Sequence, residues 1–274
     1  LPGTPQIHNL LPANYFGTTP MAAPLISIVG SVIMIVGNIW WLNYRAKKLK
    51  GNGEIWTEQE GGATVAVPDN LPNPWITLVP FLVILVTLNV FKWNIVVCLL
   101  IGVLLSVIFN YKRIPDIGAM FNEGCMDAVK SIVNTASVTG FGSVVKITAG
   151  FATLVTLVLS IGGSPLVFES IAVNILAAAS GSASGGLTIA LDALGGTFLE
   201  MANAVGISPE ALHRVASMSS GVLNTMPHDG AVVTYLAYCG VTHRQGFYDI
   251  FWVNAIIPGI ALVVAIIMGT IGLV

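Results

Sequence analysis

Apolar runs separated by short polar clusters succeed one another along the chain. The first extends from Ala22 to Leu42, "AAPLISIVGSVIMIVGNIWWL", and ends in Trp40 and Trp41 followed by "RAKKLKG". A bilayer core about 30 Å thick needs roughly 20 mostly apolar residues per crossing helix, so this run predicts a membrane span. Trp at its boundary, with Arg45, Lys47, Lys48 and Lys50 just beyond, puts that end in the cytoplasm by the positive-inside bias. Residues 43–74 are polar, contain Gly and Pro and keep no helical period, which predicts a cytoplasmic linker. Trp75 to Val90 and Trp93 to Phe109 then predict two spans joined by a tight turn. Lys112 and Arg113 return to the cytoplasmic side after those two crossings.

Beyond Pro115 the texture changes. "DIGAMFNEGCMDAVKSIVNTASVTGFGSVVKITAGF" is too polar and too Gly-rich for a lipid-facing span, and predicts an interfacial helix followed by a re-entrant hairpin. Backbone broken at membrane depth is tolerated only where protein or a water-filled cavity satisfies its polar groups. The remaining spans are expected at Phe151 to Ser160, Pro165 to Ser180, Leu187 to Val205, Met226 to Tyr238 and Phe251 to Leu273. Several are short and are divided by clusters such as "SGSASGG" rather than by hydrophilic loops, so discontinuous helices are the simplest account. "LPGTPQIHNLLPANYFGTT" near the start and "MPHDGAVVTYLAYCGVTHR" near the end share an order of features: Pro, small polar cluster, apolar run, aromatic, Gly, Thr. Interrupted apolar segments in matching positions of two halves point to a transporter's binding site. The division expected is 1–42 as the end of an N-terminal transport repeat with its last span, 43–74 as the linker, and 75–274 as the C-terminal repeat.

Composition agrees with a membrane protein. Hydrophobic residues make up 55% of the chain and charged residues 9%, against about 25% charged in an ordinary soluble domain. Mean hydropathy is +0.84. A net charge of −2 offers no basic surface for nucleic acid. Cys98, Cys125 and Cys239 are widely separated, fit neither a disulfide framework nor a metal site, and are expected as small core residues. Neither a metal nor a cofactor is expected. The chain opens on Leu1 without a charged n-region, so the expectation is a fragment of a longer transporter that needs its N-terminal half, rather than a chain with a signal peptide.

A broken helix at mid-membrane offers N–H donors at one half and C=O acceptors at the other, and the helix dipoles add to both. "NTASVTGFG", "SGSASGG" and "SSGVLNTMPHDG" surround such breaks with hydroxyls, amides and glycines, a chemistry suited to a hydroxylated carboxylate. The substrate-binding candidates are therefore Asn134, Thr135, Ser137 and Gly140; Ser180, Gly181, Ser182 and Ser184; Ser220, Asn224 and Thr225; and Thr4 in the N-terminal echo. Pro227 and Gly230 mark one helix break, and Pro2 and Gly3 the other. The competing structural reading is that small residues only let membrane helices pack closely. Ionisable groups within apolar surroundings are costly and functional by default, which makes Asp229, His228, Glu169 and Asp192 proton-coupling candidates. For Asp229 the bland alternative is a helix cap. Glu200 is expected nearer an interface, and Asp127, Glu123 and Lys130 on a surface helix. His213-Arg214 and His243-Arg244 are expected at interfacial positions, with Ser208 as N-cap and Pro209 opening a helix.

"LPGTPQ", "GSASGG", "SPEALHRVASMSSG" followed by "NTMPHDGAVVT", and "CGVTHRQGFYDI" together resemble the gluconate permease (GntP) family of bacterial inner-membrane symporters. The resemblance covers essentially the whole chain, as the last three-fifths of a full member. It implies an all-α polytopic membrane protein, an ion-transporter-like inverted repeat with re-entrant hairpins and broken helices. It also implies uptake of gluconate or a related sugar-acid anion with H⁺, less readily Na⁺, across the bacterial inner membrane, with a homo-oligomer left open. Two rival readings are a cation/proton antiporter of related fold and an intramembrane hydrolase. The second lacks an HExxH, a GxSxG and a catalytic aspartate pair.

Overall fold

Helix breakers set the order of elements. The computed structural model describes residues 1–54, 73–160 and 163–274, with the backbone alone at 134–135, 138–139, 141–143, 145–146, 154–155, 157–160, 230, 234 and 237–238. The regular elements among the described residues are helical: α1 (Ile7–Phe16), α2 (Pro24–Gly51), α3 (Pro74–Asn89), α4 (Ile95–Asn110), α5 (Ile117–Lys146), α6 (Ala149–Ser160), α7 (Pro165–Ser180), α8 (Ala183–Val205), α9 (Pro209–Ser219), α10 (Gly230–Tyr238), α11 (His243–Phe251) and α12 (Ile257–Thr270). A π-helical turn at Trp252–Ile256 joins α11 to α12. Pro24, Pro74, Pro165 and Pro209 each occupy a first helical turn, where the missing N–H costs nothing.

Among the described residues three helices are long and apolar enough to cross a bilayer: Pro24–Gly51, Ile95–Arg113 and His243–Thr270. Only 11% of the apolar stretch of the second is buried within the protein, and Ile28, Val32, Val36 and Ile39 expose one face of α2. Such faces require lipid to cover them. This is an all-α membrane protein.

The described residues fall into two compact units. The smaller takes in residues 3–5 and 73–136. Within it α3 and α4 form a hairpin in which Asn73 and Asn94 cap the helix starts by accepting from Trp75 N and Val96 N at 3.0 and 2.9 Å. Gly102 lets the pair close, since a Cβ there would lie 2.4 Å from Ile84 Cδ1.

The larger unit comprises residues 1–2, 6–54 and 137–274 and holds the core. α7 and α8 pack as a tight hairpin, α9 lies against α1, α7, α8 and α12, and α12 lies along α2. Phe168 of α7 meets Phe198 of α8 edge-on at 5.2 Å. At the polar end of α2, Arg45 holds Asp249 of α11 through Nε and Nη2 at 2.6 and 3.0 Å. Trp41 donates to the same carboxylate at 3.1 Å and stacks on Trp252 at 4.2 Å.

Four expectations change. α2 does not end at Leu42: it runs on to Gly51, because Arg, Ala, Lys and Leu are good helix formers and no breaker precedes "GNG". Residues 43–51 are thus helix, and 55–72 of the expected linker lie outside the described residues. Within 116–151, where an interfacial helix and a re-entrant hairpin were expected, α5 runs unbroken from Ile117 to Lys146 with no proline to stop it, and a turn at 147–148 separates it from α6. Of the cysteines only Cys98 is buried, while Cys125 and Cys239 are exposed. The last expected span, Phe251 to Leu273, begins instead at His243 and carries the π turn inside it.

Candidate functional site

Two breaks meet in the larger unit. α7 stops where Gly181 enters the left-handed region at φ 58°, and Ser182 starts α8 by accepting from Gly185 N at 3.2 Å. Ser180 Oγ donates back to the Ala177 and Ser182 carbonyls. The hairpin is so close that a Cβ on Gly186 would stand 2.2 Å from Ala177 Cα. For Gly186 the close-packing reading of small residues holds.

The second break separates α9 from α10. After Ser219 the chain turns through Asn224, Thr225 and Pro227 before Gly230 resumes the helix. Asp229 Oδ1 accepts from Ala231 N at 2.7 Å, so Asp229 caps α10, and its Oδ2 accepts from Asn224 Nδ2 at 3.4 Å. Thr225 Oγ1 donates to Asn224 Oδ1 at 3.5 Å. His228 pairs with the Ala178 carbonyl at 3.1 Å, and its ring lies so close to Gly181 that a Cβ there would stand 3.1 Å from it. The 180–182 and 224–230 clusters, read separately from the sequence, therefore touch.

Other candidates lie elsewhere. The side chains of Asn134 and Thr135 lie outside the described residues; Ser137 and Gly140 are exposed on α5. Pro2, Gly3 and Thr4 precede α1, with Gly3 in a left-handed turn at φ 72°. Asp192, expected within an apolar span, is exposed on α8 and accepts from the Tyr15 hydroxyl of α1. Ser184 is half-buried near the start of α8. Glu169 is fully enclosed on α7, and neither carboxylate oxygen has a hydrogen-bond partner.

The largest departure is α9. His213 and Arg214, expected at an interface, are 0% and 3% exposed. His213 bridges Asn9 Oδ1 and Thr18 Oγ1 at 3.1 and 2.6 Å. Arg214 donates through Nε and Nη2 to the Ala22 carbonyl, through Nη2 to the Pro20 carbonyl, and through Nη1 to Asn9 Oδ1 at 2.9 Å. Among the described residues no carboxylate lies within ion-pair distance of it. Its charge is balanced by oxygens of neutral groups, a costly arrangement unless something further compensates it. Glu210 of the same helix accepts from Ala23 N, a non-glycine residue held in the left-handed region at φ 43°.

Arg214 lines a cavity of about 290 Å³ together with His8, Ser27, Ser31, Ser217, Ser220 and Asn254. Among the described residues no aspartate or glutamate lines it. Ser220, from the sequence candidates, is there; Ala183 and Gly221 tie the cavity to both helix breaks. Sequence reasoning missed Arg214, His8 and Asn254. The available signal was α9 itself: a short helix between a Ser-Pro start and a break has to bury polar residues if it lies inside the protein.

No family profile matches the chain, and no solved structure matches it. It is 31% identical to the uncharacterized transporter YxjC of Bacillus subtilis (strain 168), over 316 aligned positions that take in 100% of this chain and 67% of that protein. With the helical membrane architecture and the paired helix breaks already in place, the chain belongs to the same transporter family as YxjC.

Proposed function

We propose that the protein is a secondary active transporter of the bacterial inner membrane, of the gluconate permease type, which takes up gluconate or a related sugar-acid anion with H⁺. The observation that carries this reading is the cavity at the two helix breaks. Its one permanently charged lining side chain is the cation of Arg214, unpaired with any carboxylate among the described residues, and hydroxyls and amides surround it. Charge of that sign in a small partly open site favours an anion, and the polar remainder favours a hydroxylated one. It also separates this reading from a cation/proton antiporter, whose site calls for acidic lining.

The proton is assigned to Glu169. Of the four ionisable candidates, Asp229 caps α10, Asp192 takes the Tyr15 hydroxyl and His228 holds the Ala178 carbonyl. Glu169 has full enclosure and no partner, the setting in which a carboxyl in a membrane protein carries protons. Uptake of labelled gluconate into vesicles, with and without an imposed proton gradient, tests the whole. Gradient-driven accumulation is expected, and in Glu169→Gln its loss with gluconate exchange retained. A protein that moves no sugar acid in either mode overturns the proposal, and a Glu169→Gln variant that still accumulates overturns the proton assignment.

A further inference from the structure

The polar lining of the cavity divides into groups that donate and groups that accept. A guanidinium has five N–H groups. Four of those on Arg214 are committed, to Ala22, Pro20 and Asn9, which leaves one on Nη1. What Arg214 offers the cavity is a donor. On α2, Ser27 and Ser31 are one helical turn apart, and their hydroxyl protons are already given to the Ala23 and Ser27 carbonyls at 3.0 and 2.7 Å. What these hydroxyls still offer is lone pairs, so they accept. Asn254 stands in the π-helical turn, its side chain makes no hydrogen bond among the described residues, and it can both donate and accept. Single π turns inside α-helices are frequent at functional sites, because the extra residue re-aims a side chain.

We propose that Arg214 and Asn254 are the two ends of the binding site: Arg214 anchors the carboxylate through its remaining Nη1 proton, and Asn254 with Ser27 and Ser31 reads hydroxyl groups on the ligand's tail. This rests on the transport reading above and adds to it an orientation and a basis for selection. A tail of hydroxyls supplies the donors that Ser27 and Ser31 lack. A second carboxylate would face those lone pairs and be refused, and an unsubstituted acyl tail would leave them buried without partners. The volume, about 290 Å³, sits at the small end of ligand pockets, near 300 Å³, and suits a metabolite rather than a lipid.

Arg214 also holds the 20–22 segment, so its removal confounds binding with folding. Asn254 does not, and Asn254→Asp changes charge at constant shape. The test uses the reconstituted protein, with gluconate as probe and succinate and hexanoate as competitors. Wild type is expected to bind gluconate and to discount both competitors. Asn254→Asp is expected to weaken gluconate binding about tenfold or more, by placing like charge against it, at an unchanged melting temperature. Asn254→Leu is expected to lose the discrimination against hexanoate. Gluconate binding and selectivity unchanged in both variants overturn the site assignment while leaving transport standing. A wild type that binds no hydroxylated acid at all overturns the site and the transport reading together.

Discussion

Arg214 shows how one side chain can serve architecture and chemistry at once. Its fork spans the Ala22 and Pro20 carbonyls and the Asn9 amide oxygen, three acceptors from two stretches of chain. A lysine keeps the charge but cannot reach them together. Arg214→Lys is therefore expected to lower stability by about 1.5–3 kcal/mol for each charged hydrogen bond it gives up. A melting temperature in detergent equal to that of wild type would show that the clamp on residues 20–22 is dispensable. Asp229 makes the opposite case. Asn caps a helix as well as Asp does, so Asp229→Asn should leave stability unchanged, and Asp229→Ala should cost about 1 kcal/mol. The polar candidates around Pro227 were legible in the sequence because Pro, Gly and polar residues cluster there visibly. His213 and Arg214 were not, because their partners are distant carbonyls and an amide on α1 and the segment after it, and a His-Arg pair looks the same at a wet interface as in a core.

Helix ends decide which elements this chain forms. The α7–α8 turn depends on Gly181 in the left-handed region, Ser182 as cap and Gly186 at the point of closest approach. Ser182→Ala should cost about 1 kcal/mol through the lost cap and shift the unfolding midpoint without changing selectivity. Gly186→Leu should prevent the hairpin from closing at all, read as loss of folded protein in the membrane fraction, because Ala177 backbone occupies the needed space. Normal accumulation of that variant would mean the two helices are farther apart than described. Starts of α3, α7 and α9 were readable from Asn-Pro and Ser-Pro pairs. α5 was misread because polarity and glycine were given the weight of breakers. A helix tolerates glycine at about 1 kcal/mol apiece, whereas a proline would have stopped it.

Across the whole molecule, apolar faces that no protein covers fix the surroundings. α4 and the outer face of α2 resist alkaline extraction from membranes if lipid covers them, and release into the aqueous fraction would contradict the assignment. Membrane character was legible from composition because it is a bulk property. The grouping into two units was not, since residues 137–274 pack with 6–54 across a long separation in sequence. The join at the polar end of α2 carries one more consequence. Arg45, Asp249, Trp41 and Trp252 tie α2 to the helix that runs from His243 to Thr270, and Ile257 of that helix fills the space over Gly37. Locked at one end and interdigitated farther along at Gly37, this pair is expected to move as one body. Under the proposed transport reading, spin labels at Val36 and Ile260 should keep one separation whether or not gluconate is added, and any stroke falls to the shorter pieces that lean on them.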